Sequence, residues 1–287
     1  MNRLHLTNEY LQVEVSPLGA ELKGIRLTDG TELLWPGDRE PWTGSSPWLF
    51  PIVGRLPNDS YTCAGQRYEL PIHGFARQRL FEVQEHTQQR VVLALHADDS
   101  TRACYPFDFV LRVIYELQGR QVQVCAEVEN HDCKEMLFSL GAHPGLCCAA
   151  GDELYFDTKE DLHMHRLTPE SHLLDPSFRR FQGQQITLSE KLFEADAMLL
   201  HQPRSRRVTL RRKDGIAVSV CYDDISWLGI WSRATSPLSY VCIEPWLGSD
   251  SPAALTSPAL EDKPDILRLS AEAVFQFHMT IAHMITA

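Results

Sequence analysis

Four short segments place ionisable side chains at the ends of apolar runs or in turns beside them. They are Arg55 in WLFPIVGRL, His73 in PIHGFAR, His143 in GAHPG and Glu244 in CIEPWLG. Glu244 follows Val241-Cys242-Ile243 and precedes Pro245-Trp246, a setting in which a carboxylate is costly to bury without a partner. Taken singly, each has a plain structural reading: a histidine beside Pro or Gly caps a turn, Arg55 pairs with a loop acid, and Glu244 joins a buried ion pair. Taken together, two histidines and a carboxylate suit either a metal or metal-free proton transfer. Metal sites often draw two ligands from one short stretch. The HxH here, His163-Met164-His165, lies in a polar segment with acids nearby, which a surface strand explains. The remaining chemistry is acid/base: a carboxylate removes a proton, an imidazolium gives one, and a second histidine or an arginine holds the substrate. Ring opening at the anomeric centre of a sugar needs this pairing, and tryptophans would cover the apolar face of such a ring.

The elements that must position these residues are strands. In FDFVLRVIYEL the residues Phe107, Phe109, Leu111, Val113, Tyr115 and Leu117 share a face, and in RQVQVCAEVEN so do Val122, Val124, Ala126 and Val128. Gln118-Gly119-Arg120 between them predicts an antiparallel hairpin. Further strands are expected at YLQVEV, RVVLALH, MLFSLGAH, RVTLRR, IAVSVCY, SYVCIEP and VFQFHMTIAHMI. Helical periodicity is nearly absent, with LSEKLFEADAML as the best short helix. So many strands must pack sheet on sheet or close a barrel, because one open sheet would leave a wet apolar face and exposed edges. The stretch Thr31 to Arg79 differs, with three tryptophans, six prolines and many turn residues; it is expected to line a site.

Composition narrows the partners. The chain has 287 residues, 44% of them hydrophobic and 23% charged, without a repeat, a low-complexity run or a linker, so one domain over residues 1–287 is expected. A formal net charge of -11 argues against nucleic acid and anionic membranes as partners and favours a small ligand. The start has no apolar signal-like stretch and no window approaches the roughly 18 apolar residues of a membrane span, so a cytoplasmic protein is expected. The eight cysteines contain no CxxC pair and read as core thiols in a reducing compartment.

The segments LFPIVGRL, PIHGFAR, GAHP, WLGIWS and CIEPWLG, in that order from about Trp48 to Gly248, resemble the aldose 1-epimerase (galactose mutarotase-like) family, especially its LacX-like bacterial branch. The resemblance implies an all-β fold, a large antiparallel β-sandwich with few short helices. It also implies cofactor-independent interconversion of the α and β anomers of a hexose or related sugar, with no metal. On this likeness His143 is the general acid and Glu244 the general base, while Arg55, His73, Asp196 and Trp231 bind the sugar. Two departures stand out: Glu244 is followed by Pro-Trp, as in the LacX-like and hexose-phosphate branches, and GLCCAAGDE after Pro144 has no aromatic where relatives commonly carry one. A hexose-6-phosphate substrate would need cations, for which Arg77, Arg79 and Arg233 are candidates. A non-catalytic sugar-binding protein of the same fold is the alternative from another class. A monomer or homodimer is expected.

Overall fold

The computed structural model describes residues 3–169, 171–255 and 259–285. Its largest element is a 15-stranded antiparallel sheet, joined by a three-stranded sheet (Leu4–Thr7, Leu11–Ser16 and Glu21–Leu27) and two two-stranded pairings. The predicted hairpin forms as expected: Phe109–Gln118 and Gln121–Asn130 pair with Gln118 opposite Gln121 across Gly119-Arg120.

The long sheet folds over on itself. Leu93 and Val113 near one end of the strand order share a core with Val241 and Ile243 near the other. Leu11, Val13, Val15, Leu22 and Ile25 of the three-stranded sheet enter the same core. Alternation along each strand is what permits this, since every second side chain leaves water together with its neighbours, and each buried Val, Ile or Leu contributes about 1.5–3 kcal/mol. Sheet on sheet, rather than a single open sheet, is therefore the arrangement found.

Two expectations are corrected. LSEKLFEADAML does not form an α-helix; only a 3-10 turn, Glu190–Phe193, appears, and the chain then enters the strand Met198–His201. Asp196 takes a left-handed backbone (φ 61°), which breaks helical continuity, and Met198 and Leu200 are drawn into the core as alternating strand residues. The cysteines are all unpaired, but only Cys242 is fully buried; Cys63, Cys104, Cys147 and Cys148 are half-buried against the apolar cores, Cys125 and Cys221 are half-buried outside them, and Cys133 is exposed. His163 and His165 do lie on a strand, Glu153–His165, where His163 stacks on exposed Phe178.

Three neighbouring strands at one end of the sheet share a two-sided pattern. In Tyr240–Leu247, Val241 and Ile243 enter the core while Cys242, Glu244 and Trp246 occupy the opposite face. In Trp227–Trp231, Leu228 and Ile230 enter the core and Trp227 and Trp231 take the other side; in Met198–His201, Met198 and Leu200 do so, opposite Leu199. The segment Trp48 to Val53 behaves alike, with Trp48, Phe50 and Ile52 in the core and Leu49 and Val53 packed with Trp246. A second buried face thus lies outside the main core, roofed by the loops from the Thr31 to Arg79 region.

The turn that carries His73 is held by close backbone approach. Gly74 has φ 69° and receives Phe50: the Phe75 and Ala76 N–H groups donate to Phe50 O. A Cβ on Gly74 would lie 2.3 Å from Phe50 O. Gly65, with φ 78°, has nothing near its missing Cβ. Gly65→Ala should therefore lose only the roughly 1–2 kcal/mol of a left-handed alanine, whereas Gly74→Ala should lose clearly more, as read from urea unfolding midpoints. Equal losses would show that the Phe50 contact constrains nothing.

Candidate functional site

A cleft of about 330 Å³, at the small end of ligand sites, opens over the outer face of those strands. Its walls include Arg55, His73, His143, Asp196, Trp231 and Glu244, so all six side chains expected from the sequence meet there. Glu244 forms the floor. It lies mid-strand opposite Gly229 and is 1% exposed, because the strand that buries Ile243 on one side presents Glu244 on the other.

His143 reaches the same point from the loop between the strands Leu140–Ala142 and Gly145–Cys147, both of which pair with Tyr240–Leu247. Its Nε2 lies 3.0 Å from Glu244 Oε2. The two atoms are close but not aligned as a hydrogen bond, and both Glu244 Oε2 and His143 Nδ1 are buried without a hydrogen-bond partner. Burial drives both groups toward neutrality. It lifts the Glu244 carboxyl well above its usual range, helped by nearby Asp196 and Asp250, and pushes His143 down to about 3, with Arg77 adding to the fall. Both shifts favour the state in which the pair holds one proton between them, and the two ways of placing it differ by a transfer across 3.0 Å.

His73 is fixed by reciprocal bonds to the opposite loop. Its N–H donates to Gly54 O at 2.8 Å, and the Gly54 N–H donates to its Nδ1 at 3.0 Å. Because Nδ1 accepts, the neutral ring carries its proton on Nε2. Burial, and then the proximity of His143 and Arg77, hold its pKa well below the usual histidine range. His73 is thus a neutral donor, 6.1 Å ring to ring from His143.

Arg55 and Asp196 complete the polar wall. The Arg55 Nη1 donates to Asp59 Oδ1 at 2.9 Å, while its Nε is buried and unpartnered beside the cleft. Asp196 accepts from the Ala197 N–H through Oδ1 at 2.8 Å, and its Oδ2 stands 3.6 Å from His172 Nδ1.

Aromatic rings line the other side. Trp42 lies 5.1 Å from the His143 ring and meets Trp231 edge-on, and Trp35 supports it by donating Nε1–H to Trp42 O. Gly145 makes room, since a Cβ there would lie 2.8 Å from Trp42 Cζ3. The side of His143 left without an aromatic by GLCCAAGDE is thus covered by Trp42 from a distant loop. Of the three loop tryptophans only Trp42 lines the cleft; Trp48 is in the core, bonded to the Tyr115 hydroxyl.

The phosphate candidates separate. Arg77 lines the cleft, donates Nη2–H to Ile72 O and makes no direct ion pair among the described residues, feeling Glu21 only through space. Arg79 turns away to Ser100 and the Phe75 ring, and Arg233 borders an adjoining hollow. Sequence reasoning passed over Asp250, Trp246 and His172, which also line the cleft. Asp250 sits in the turn-like GSDSPAA, and His172 in SHLLD, so neither carries a local signal.

Among the described residues, His143, Cys242 and Glu244 form the group whose ligand atoms, all within 4.8 Å of one another, could hold a metal. The fit is poor: burial raises the Cys242 thiol well above its ordinary range, so the thiolate a metal needs is disfavoured, and Cys242 does not reach the cleft wall.

The sequence pattern of the aldose 1-epimerase family matches residues 2–248. The chain is 34% identical over 285 residues to "Protein LacX, plasmid" of Lactococcus lactis subsp. lactis, covering 93% of this chain and 94% of that one. A galactose mutarotase related enzyme from Lactobacillus acidophilus is 31% identical and superposes with a TM-score of 0.92 over 99% of this chain and 97% of its own. A galactose mutarotase-like protein from Lactobacillus casei, 23% identical, shares the fold with a TM-score of 0.92 over 99% of this chain and all of its own.

The His73 geometry gives a direct test. Its folded pKa lies well below that of a free imidazole, so the ring should remain neutral, protonated on Nε2, at a pH where a free imidazole is largely charged. Long-range ¹⁵N–¹H NMR at pH 6 should show that tautomer; an imidazolium pattern there would contradict the clasp with Gly54.

Proposed function

This chain belongs to the aldose 1-epimerase family, and on that basis we propose that it is a mutarotase interconverting the α and β anomers of a hexose or related sugar without a cofactor. The observation that carries this reading is the buried His143–Glu244 contact at 3.0 Å on the floor of a cleft sized for a small ligand. Binding alone needs no matched acid and base, so the pair favours turnover over a purely sugar-binding protein.

The proton-sharing pair has two forms, and each has a part in the reaction. With the proton on His143, the Glu244 carboxylate takes the proton of the C1 hydroxyl while the imidazolium gives its proton to the ring oxygen. The C1–O5 bond breaks and the C1 carbonyl forms. Rotation about C1–C2 presents the other carbonyl face. O5 then attacks C1, Glu244 returns its proton to O1 and His143 recovers the proton from O5, so charges and protons balance. His73, as an Nε2–H donor, and Arg55, through its unpartnered Nε, would hold hydroxyls and orient the ring; Asp196 would accept one. Trp42 and Trp231 would cover the apolar face of the sugar.

A sugar 6-phosphate is the second reading, supported by Arg77, a half-buried guanidinium at the cleft with no direct ion pair among the described residues. An NMR anomer-exchange panel of free hexoses, pentoses and hexose 6-phosphates decides between them. Arg77→Ala should then weaken only phosphorylated substrates.

Removing either proton carrier should cost about 10²–10⁴-fold in kcat, so Glu244→Gln and His143→Asn should lose catalysed mutarotation in polarimetry while retaining the wild-type fold by circular dichroism. Wild-type rates in either variant would remove the assignment. Burial holds His143 near 3 and lifts Glu244, so both shifts widen the pH range of the singly protonated pair. The kcat should accordingly be flat across pH 6.5, where a free imidazole acid would show an inflection.

A further inference from the structure

Asp250 and Lys263 are each 2% exposed, and neither has a part in the proton transfers. Asp250 lines the cleft beside Arg55 and His73. One of its oxygens is committed: Oδ1 accepts the Arg55 N–H at 2.7 Å. The other, Oδ2, receives no hydrogen bond from another residue among the described residues. Lys263 lies in the interior behind this turn, where its ammonium donates to Ser249 O, the carbonyl of the residue before Asp250.

A buried carboxylate and a buried ammonium weaken a fold unless their charges are well compensated, and an apolar pair of similar size would serve stability better. Lys263 also makes no direct ion pair among the described residues, which leaves its charge to act through space on Asp250 and Asp265. Holding Arg55 by its N–H needs only one acceptor, which a neutral amide would supply. The charge and the second oxygen are unexplained by packing. Both are explained by a ligand.

We propose that Asp250 is a further substrate-binding carboxylate: its Oδ2 accepts a sugar hydroxyl next to the one held by Arg55, and Lys263, bound to the carbonyl of the preceding residue, is its buried counter-charge. This rests on the mutarotase reading and deepens it. It makes the Arg55–Asp250 corner a site for two neighbouring hydroxyls, one given a hydrogen bond by a cation and one giving a hydrogen bond to an anion. Asp250 would recognise a free hydroxyl donor and reject a substituent without one. Lys263 is a positioning residue in this scheme, since it acts through Asp250.

The charged groups around Asp250 set the sign of its pH dependence. Burial first and then Asp196 raise its carboxyl against the pull of Lys263 and the Arg55 N–H, with a net position of about 6; Glu244 in turn feels Asp250. The neutral His73 adds no charge. Below about pH 6 Asp250 gains a proton and loses its standing as a full acceptor. Sugar binding should weaken there while kcat holds.

The test follows KM, kcat and, by NMR titration, Kd for the preferred sugar from pH 5 to 8 in wild type, Asp250→Asn and Lys263→Met. Asp250→Asn keeps the acceptor for the Arg55 N–H. It should raise KM and Kd about tenfold or more, leave kcat within a few fold, and abolish the fall in 1/KM below pH 6. Lys263→Met should move that fall to higher pH, which tests the proposal even if Asp250→Asn does not fold. A deoxy sugar lacking the recognised hydroxyl should bind wild type and Asp250→Asn equally weakly. Unchanged KM and an unchanged acid limb in folded Asp250→Asn would overturn the proposal, as would an acid limb unmoved in Lys263→Met. A wild type that binds sugar but does not exchange anomers would refute the mutarotase reading while the Kd series still judges Asp250; a wild type that binds no sugar overturns both.

Discussion

The structure of the cleft depends on one contact, a carboxyl and an imidazole 3.0 Å apart and shut away from water. In water each would carry its own charge at neutral pH, or lack one, independently of the other. Removed from water, neither charge is stable alone, and the pair is left with one proton and two places to put it. Such a pair is suited to a reaction in which one proton is taken and another given at the same moment. It is also costly to build, because the backbone must bring two polar groups to the floor of a cleft without giving either a permanent partner.

The two-sided strands solve that problem. A strand that buries Val241 and Ile243 in the core is anchored by several kcal/mol of apolar burial, and its other face is thereby fixed in position. Glu244 inherits that rigidity, flanked by Cys242 and Trp246 on the same face. The loops are then tied to this floor by a chain of polar contacts: His73 to Gly54, Arg55 to Asp250, and Ser251 N–H back to Arg55 O. The Gly54-Arg55 turn is gripped on one side by a histidine and on the other by an aspartate, both of which line the cleft. Holding the turn and holding a ligand are done by the same side chains.

This division explains what was legible in the sequence. The strands were, because period-2 burial is written directly in runs such as FDFVLRVIYEL. Glu244 and His143 were, because an ionisable residue inside an apolar run breaks the pattern that surrounds it. LSEKLFEADAML misled because its apolar spacing suits a helix, whereas the structure uses Phe193 at a 3-10 turn and Met198 and Leu200 on a strand. Arg77 and Arg79 look equivalent in HGFARQR, yet the 3-10 turn Ala76–Gln78 separates them, one toward the Ile72 carbonyl and the other toward Ser100. Asp250 and Lys263 were invisible: GSDSPAA and EDKPD have the composition of solvated turns, and only the tertiary path buries them. Trp42 required the same knowledge, since nothing local tells it from Trp48.

The charge states of these groups also bear on stability, with opposite signs that offset one another. His73 and His143 have depressed folded pKa values, so their contribution is present above about 6.5 and is lost as pH falls and the unfolded chain takes up protons. Glu244 and Asp250 have raised values, so theirs is present below the unfolded carboxyl pKa and is lost as pH rises through the folded one, about 6 for Asp250. Between roughly pH 4.5 and 6 the protons kept by the carboxyls and those taken up by the imidazoles on unfolding act with opposite signs on the slope and offset one another. Lys263, lowered to about 8, stabilises only above the unfolded lysine pKa and loses that contribution as pH falls through 8. Within that window a cleft carrying several buried ionisable groups is buffered against pH because acids and bases are buried together, the same arrangement that lets a proton be passed between them.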